Sequence, residues 1–105
     1  MASYKKLVRD NIPDIIKNNG DIPVVRILDN EEYLKELNKK ILEEVNEYLE
    51  SGSIEELADI EEVIIGILDF KGKSRNDLEE IRQDKVKKRG AFKSRIYLEG
   101  VQGDK

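Results

Sequence analysis

The sequence contains no cysteine and no histidine, and aromatic residues make up only 6% of it. The absence of cysteine excludes disulfide bonds, thiolate zinc sites and cysteine nucleophiles, and the absence of histidine excludes every catalytic triad that uses imidazole as its base. Chemistry must therefore rely on carboxylates, lysine, arginine, tyrosine and hydroxyl groups. With so few aromatic side chains, the core has to be aliphatic, which favours packed helices over an aromatic-rich β-sandwich.

Long apolar runs and a strong net charge are also missing. No stretch approaches the roughly 20 apolar residues of a membrane span, and residues 1–6 lead into a charged segment, unlike a signal peptide. The 23 acidic and 19 basic residues leave a net charge of -4, which gives no strong attraction to nucleic acid or to anionic membranes. We therefore expect a cytoplasmic protein that has neither a membrane nor a nucleic acid as its partner.

The length of 105 residues indicates one folded domain over residues 1–105. Charged residues reach 40%, but the apolar residues recur with helical spacing, so an ordered, all-α fold is favoured over disorder. Capping and stop signals predict four helices. The helices are expected to run from caps at Asn11, Asp29, Ser53 and Ser74 to stops at 18–20, 51–53, Gly72 and Gly90.

Apolar patterning predicts where the core lies. The third predicted helix is the most apolar and should form the centre of the core, while Leu78 and Ile81 predict an inward face on the fourth. Residues 22–27 and 95–98 favour short strands and are expected to pair with each other. The polar tail from about residue 99 is expected to be loosely held.

Carboxylates border the apolar faces of the second and third predicted helices. At about 100° per residue, Glu44 falls at the edge of the apolar face of the second helix, where a solvated glutamate need not lie. Glu47 follows three residues later and projects beside it, whereas Glu43 is turned further towards water. On the third helix, Glu56 and Asp59 have the same spacing and flank the apolar stripe.

The connection between these two helices contains only about three residues, so the helices should fold back as a central antiparallel hairpin. Counted outward from Gly52 at a rise of roughly 1.5 Å per residue, Glu47 falls level with Glu56, and Glu44 falls level with Asp59. The hairpin is therefore expected to bring four carboxylates together.

Four carboxylates at the border of an apolar core are unfavourable alone, because like charges and desolvation both oppose ionisation. A bound cation reverses this effect, and oxygen ligands without nitrogen or sulfur suit magnesium, manganese or calcium. Magnesium is the expected ion, with manganese as a substitute. It would neutralise phosphate charge and orient a water molecule, which a free carboxylate could deprotonate.

The same residues also have ordinary structural interpretations. Glu56 has the spacing of a reciprocal capping-box partner of Ser53. Glu43 and Glu47 could pair with Lys39 and Lys40 along a solvated helix face. The level placement of two carboxylate pairs across a short hairpin favours the metal site over these alternatives.

Two acidic motifs also resemble a known family. EEVNE at residues 43–47 and ELAD at residues 56–59 resemble the EExxE and ExxD motifs of MazG-like, all-α nucleoside triphosphate pyrophosphohydrolases. KLVRDNIP at residues 6–13 and RGAF at residues 89–92 resemble segments of a small branch described as phosphoribosyl-ATP pyrophosphohydrolase-like. The resemblance spans residues 5–98, and the two acidic motifs lie closer together than in many members of the family.

The resemblance implies a four-helix MazG-like bundle that cleaves a nucleoside triphosphate into a monophosphate and pyrophosphate. It also implies a housecleaning role in the nucleotide pool and assembly as a homodimer or a higher oligomer. By position, Glu43, Glu44 and Glu47 become the candidate catalytic residues, with Glu43 as an additional ligand or base. The implied magnesium ligands are Glu44, Glu47, Glu56 and Asp59.

A phosphate substrate needs cationic partners, and several basic residues are available. The candidates are Lys40, Lys73, Arg75 and Arg89, with Arg9 also available. Lys40 lies about one turn before Glu44, so it can reach both a carboxylate and a phosphate, although an ordinary ion pair has the same spacing.

Three other functions remain open at the level of sequence. Phosphoribosyl-ATP pyrophosphohydrolase of histidine biosynthesis has the same metal motif. A non-catalytic helical oligomerisation module would carry the carboxylates as surface charge. The basic segment 85–95 contains an aromatic residue and could bind nucleic acid, but the acidic remainder of the chain disfavours this.

Overall fold

The computed structural model describes residues 5–103, and within this range the protein is all-α with four helices and no strand. The helices are α1 (Ile12–Asn18), α2 (Asn30–Ser51), α3 (Ile54–Phe70) and α4 (Arg75–Arg89). The predicted all-α class and the four predicted helices are thus confirmed. The interpretation of residues 1–4 and of the last two tail residues lies outside the described range.

The chain divides into two compact units at the junction between Lys73 and Ser74. The first unit contains α1, α2 and α3, and the second contains α4 and the segment after it. The prediction of a single domain stays a prediction. None of the helices within residues 5–103 has the length and apolar character needed to cross a membrane.

Side-chain caps explain where the three longer helices begin. Asp29 accepts a hydrogen bond from the backbone N–H of Glu32 at 2.9 Å, which fixes the start of α2. Ser74 and Asp77 form a reciprocal capping box at the start of α4, with bonds of 3.0 and 2.8 Å. These caps satisfy backbone donors that the first turn of a helix leaves unpaired.

A tight turn joins α2 to α3 and makes them a hairpin. Gly52 ends α2 with a φ of 65°, a left-handed conformation that glycine adopts without strain. Its N–H donates to the carbonyl of Tyr48 at 2.7 Å. Ser53 then caps α3, so only Gly52 and Ser53 separate the two helices. The predicted central helical hairpin is confirmed.

The small core of the first unit lies between α2 and α3. Leu37 and Val63 are only 4% and 8% exposed. A Cβ atom on Gly66 would lie 3.1 Å from Cδ2 of Leu37, so the glycine allows the leucine to approach the backbone of α3. At the end of the hairpin away from Gly52, Tyr33 and Phe70 pack edge to face with ring centroids 5.8 Å apart.

Two expectations about apolar segments are wrong for the described residues. Residues 22–27 and 95–98 contain no strand, and their side chains Ile27 and Ile96 are 94% and 86% exposed. β-branched residues supply a propensity, but a two-stranded ribbon with no buried face has little stability of its own. The predicted inward face of α4 is also exposed, at 40% for Leu78 and 57% for Ile81.

Candidate metal centre

The α2–α3 hairpin brings three carboxylates together. Glu44 of α2 and Glu56 and Asp59 of α3 each offer an oxygen, and these oxygens lie within 4.8 Å of one another. We call these three residues the acidic trio. The helix register predicted this encounter, because Glu44 and Asp59 lie at matching distances from Gly52. Among the described residues, the fourth predicted ligand, Glu47, is not part of the trio.

Glu44 has an environment that a carboxylate tolerates poorly without a cation. It is 7% exposed, and its Oε2 atom has no hydrogen-bond partner among the described residues. Burial raises the pKa of Glu44 above its ordinary value, and the neighbouring Glu47 carboxyl adds to this rise, whereas Lys40 opposes it. Buried polar atoms are normally satisfied, so an oxygen without a partner within the trio fits a cation ligand.

Glu56 is available to the trio because Ser53 uses a different partner. The backbone N–H of Ser53 donates to Oγ of Ser51 at 3.2 Å. In a reciprocal capping box, this N–H would instead donate to the carboxylate of Glu56. Ser53 Oγ still accepts from the N–H of Glu56 at 3.4 Å. Desolvation by burial, and then repulsion from Asp59, raise the pKa of Glu56. The capping alternative for the Glu56 carboxylate is therefore disfavoured.

Lys40 lies where its spacing predicts. Its ammonium nitrogen is 3.3 Å from Oε1 of Glu44 and 3.4 Å from Oε1 of Glu43, and its side chain is largely buried. Glu43 also lies 4.0 Å from the ammonium of Lys6, so it is paired with lysines outside the acidic trio. The role of Glu43 as an additional ligand or base stays a prediction.

Arg9 contacts the acidic trio directly, whereas the sequence indicates it only as one of several basic residues available to bind phosphate. Its guanidinium donates to Oδ1 of Asp59 at 2.6 Å, across 50 positions of the chain. Together with Lys6 and Glu43, this contact places the segment before α1 against the carboxylates of the hairpin. The sequence signal for this segment was its place in the KLVRDNIP motif, since no periodic pattern links such distant residues.

The other phosphate-binding candidates lie elsewhere along the chain. Lys73 is the last residue of the first unit and is exposed, whereas Arg75 and Arg89 are the first and last residues of α4 in the second unit. Their assignment as phosphate ligands stays a prediction.

Comparison with known proteins finds little that resembles the whole chain. No family model and no solved structure gives a significant match. A curated protein of Mycolicibacterium smegmatis, described only as an uncharacterized protein, is 48% identical over 42 residues. The match covers 40% of this chain and 43% of that protein, so this chain spans less than half of its relative's length. A similarity this short shows no family and brings no activity with it.

The raised pKa of Glu44 predicts how the stability of the metal-free protein depends on pH. Between the ordinary value of 4.5 and the raised folded value, the folded state binds more protons than the unfolded state, so stability falls as pH rises. Glu44→Gln removes this contribution. The free energy of unfolding of the variant should therefore increase relative to wild type across this window, and then stay level.

Urea unfolding in the presence of chelator, at a series of pH values, measures this difference between the two proteins. The series runs from about pH 4, which is close to the unperturbed pKa of glutamate, to about pH 8. A difference that does not change with pH would show that burial does not perturb Glu44.

Proposed function

We propose that the chain is a magnesium-dependent nucleoside triphosphate pyrophosphohydrolase that converts a triphosphate and water into a monophosphate and pyrophosphate. The observation that carries this proposal is the acidic trio, in which a nine-tenths buried glutamate has an oxygen without a hydrogen-bond partner among residues 5–103. The choice of a nucleotide rests on the resemblance of residues 43–47 and 56–59 to MazG-like motifs. Housecleaning of the cytoplasmic nucleotide pool is the proposed role.

The residues of the hairpin would have different roles in this reaction. Glu44, Glu56 and Asp59 would hold the cation, with Mn²⁺ as a substitute for Mg²⁺. Magnesium bound there would supply charge neutralisation at the phosphates and an oriented water molecule. Lys40 balances the negative charge of Glu44. Glu43 and Glu47 lie on α2 within one turn of Glu44, and one of them would accept a proton from water.

In the proposed hydrolysis, one bond to the α-phosphorus forms and another breaks. The water oxygen attacks the α-phosphorus, the bond from that phosphorus to the α–β bridging oxygen breaks, and pyrophosphate leaves with the bridging oxygen. The water proton passes to a carboxylate. Because little covalent chemistry is needed, positioning and charge compensation supply most of the catalysis.

A panel of nucleoside triphosphates tests this activity. Purified protein with magnesium should release a nucleoside monophosphate and pyrophosphate from at least one of them, and excess chelator should stop the reaction. Phosphoribosyl-ATP in the same panel separates the histidine-biosynthesis alternative. No turnover of any nucleotide, together with no metal binding, would leave the non-catalytic helical module as the better interpretation.

We also propose that the chain assembles as a homodimer or a higher oligomer. Both helices of the hairpin expose large apolar side chains, with Leu42 and Leu49 of α2 at 62% and 72%, and Ile54 of α3 at 78%. Apolar surface of this kind is commonly covered by a second copy. Sedimentation equilibrium should give at least twice the monomer mass of 12.1 kDa. A mass that stays at the monomer value at all concentrations would contradict the proposal.

A further inference from the structure

Arg9 and Asp59 form an ion pair that is hard to explain by stability alone. The contact between the guanidinium and Oδ1 is short, at 2.6 Å, but the two side chains are 56% and 38% exposed. Exposed ion pairs contribute little to stability, because solvent screens them and the long side chains lose freedom. The significance of the pair therefore depends on which carboxylate Arg9 has as its partner.

That carboxylate belongs to the acidic trio. The oxygen of Asp59 that accepts from Arg9 is on a carboxylate that the proposed centre needs for its cation. A guanidinium and a divalent cation would compete for it, since both neutralise the same negative charge. The trio itself contains Glu44, whose buried oxygen has no partner among the described residues, so the competition occurs at a site with an independent demand for positive charge.

A displaced guanidinium remains well placed for a second anion. Arginine keeps its charge at all physiological pH values and presents several N–H donors in a planar fork that fits phosphate oxygens. The exposed side chain of Arg9 can turn without disturbing the core. Most of the charge of a triphosphate is carried by its β and γ phosphates, which leave together as pyrophosphate.

We propose that Arg9 exchanges partners during substrate binding: a divalent cation takes Asp59 from the guanidinium of Arg9, which then binds the pyrophosphate half of the triphosphate. This inference rests on the proposed function. The metal-free ion pair lowers the affinity of the trio for cation alone, and the released arginine raises the affinity for the phosphates. Cation and phosphate would thus bind cooperatively.

Calorimetric titrations of the folded full chain test the exchange with two probes, Mg²⁺ alone and inorganic pyrophosphate at saturating Mg²⁺. Arg9→Gln should bind Mg²⁺ alone about two- to fivefold more tightly, the range expected for losing an exposed ion pair. The same variant should bind pyrophosphate about tenfold more weakly, because hydrogen bonds to charged groups are lost. A structural role for Arg9 would not shift the two affinities in opposite directions.

Arg26→Gln is the matched control. Arg26 is also an exposed arginine of the first unit, and it forms a two-bond ion pair with Glu32 at 3.1 and 2.8 Å. Its loss should change neither affinity. If wild type binds Mg²⁺ but Arg9→Gln does not show both opposite shifts, the exchange is overturned and the metal centre stands. If wild type binds no Mg²⁺, the proposed function fails and the exchange fails with it.

Discussion

The Glu44→Gln variant should lose at least about 100-fold of the magnesium-dependent turnover and should also become more stable than wild type in the absence of metal. Losing even an outer partner of a metal ligand commonly costs 10- to 100-fold, and Glu44 is proposed as a ligand itself. The gain in stability is expected because Glu44 is only 7% exposed, and burial raises its pKa despite the opposing ion pair with Lys40, so a neutral glutamine avoids the cost of the buried charge. Steady-state kinetics and thermal unfolding measure the two effects.

Glu50→Gln provides the control for this variant. Glu50 also lies on α2 and the substitution is chemically identical, but its side chain is exposed. It should have wild-type turnover and a wild-type response of the melting temperature to magnesium. The proposed role of Glu44 would be wrong if its glutamine variant kept full activity, or if magnesium stabilised that variant as much as it stabilises wild type.

Leu37→Ala should reduce the free energy of unfolding by about 2–5 kcal/mol, the usual cost of deleting a buried leucine side chain. Leu37 is the most buried apolar residue among those described, at 4% exposure, and it packs where Gly66 lets it approach α3. The truncation leaves a cavity between the two helices that hold the acidic trio. Urea unfolding monitored by circular dichroism measures the loss.

The same truncation at an exposed leucine separates burial from residue type. Leu98 is 75% exposed, so Leu98→Ala should change stability by less than about 0.5 kcal/mol. Equal losses in the two variants would mean that Leu37 does not lie in the core that holds α2 against α3.

The sequence predicts the hairpin because its determinants are local. Asp29 and Ser53 cap the starts of α2 and α3, and the left-handed turn at Gly52 ends α2; each of these signals depends on residues within one turn. Once the ends are fixed, the constant rise of a helix determines which residues lie level with each other. This is why Glu44 and Asp59 could be placed together without a structure.

Contacts that no repeating pattern encodes could not be predicted from the sequence. The ion pair of Arg9 with Asp59 depends on the path of an irregular segment, for which there is no periodicity to count. The strand prediction for residues 22–27 failed because β-branched residues favour an extended backbone but do not show whether a second strand is available to pair with it. Rise along the axis placed Glu47 level with Glu56, but rise does not determine rotation around the axis, so the assignment of Glu47 as a metal ligand stays a prediction.

A titration of the metal-free wild-type protein with Mn²⁺, followed by electron paramagnetic resonance of the free ion, tests the metal centre most directly. One saturable site per chain is expected at neutral pH, and Mg²⁺ should compete for it. Glu44→Gln should lose that site while Glu50→Gln keeps it. No saturable binding to wild type, or binding that survives Glu44→Gln unchanged, would contradict a metal centre formed by Glu44, Glu56 and Asp59.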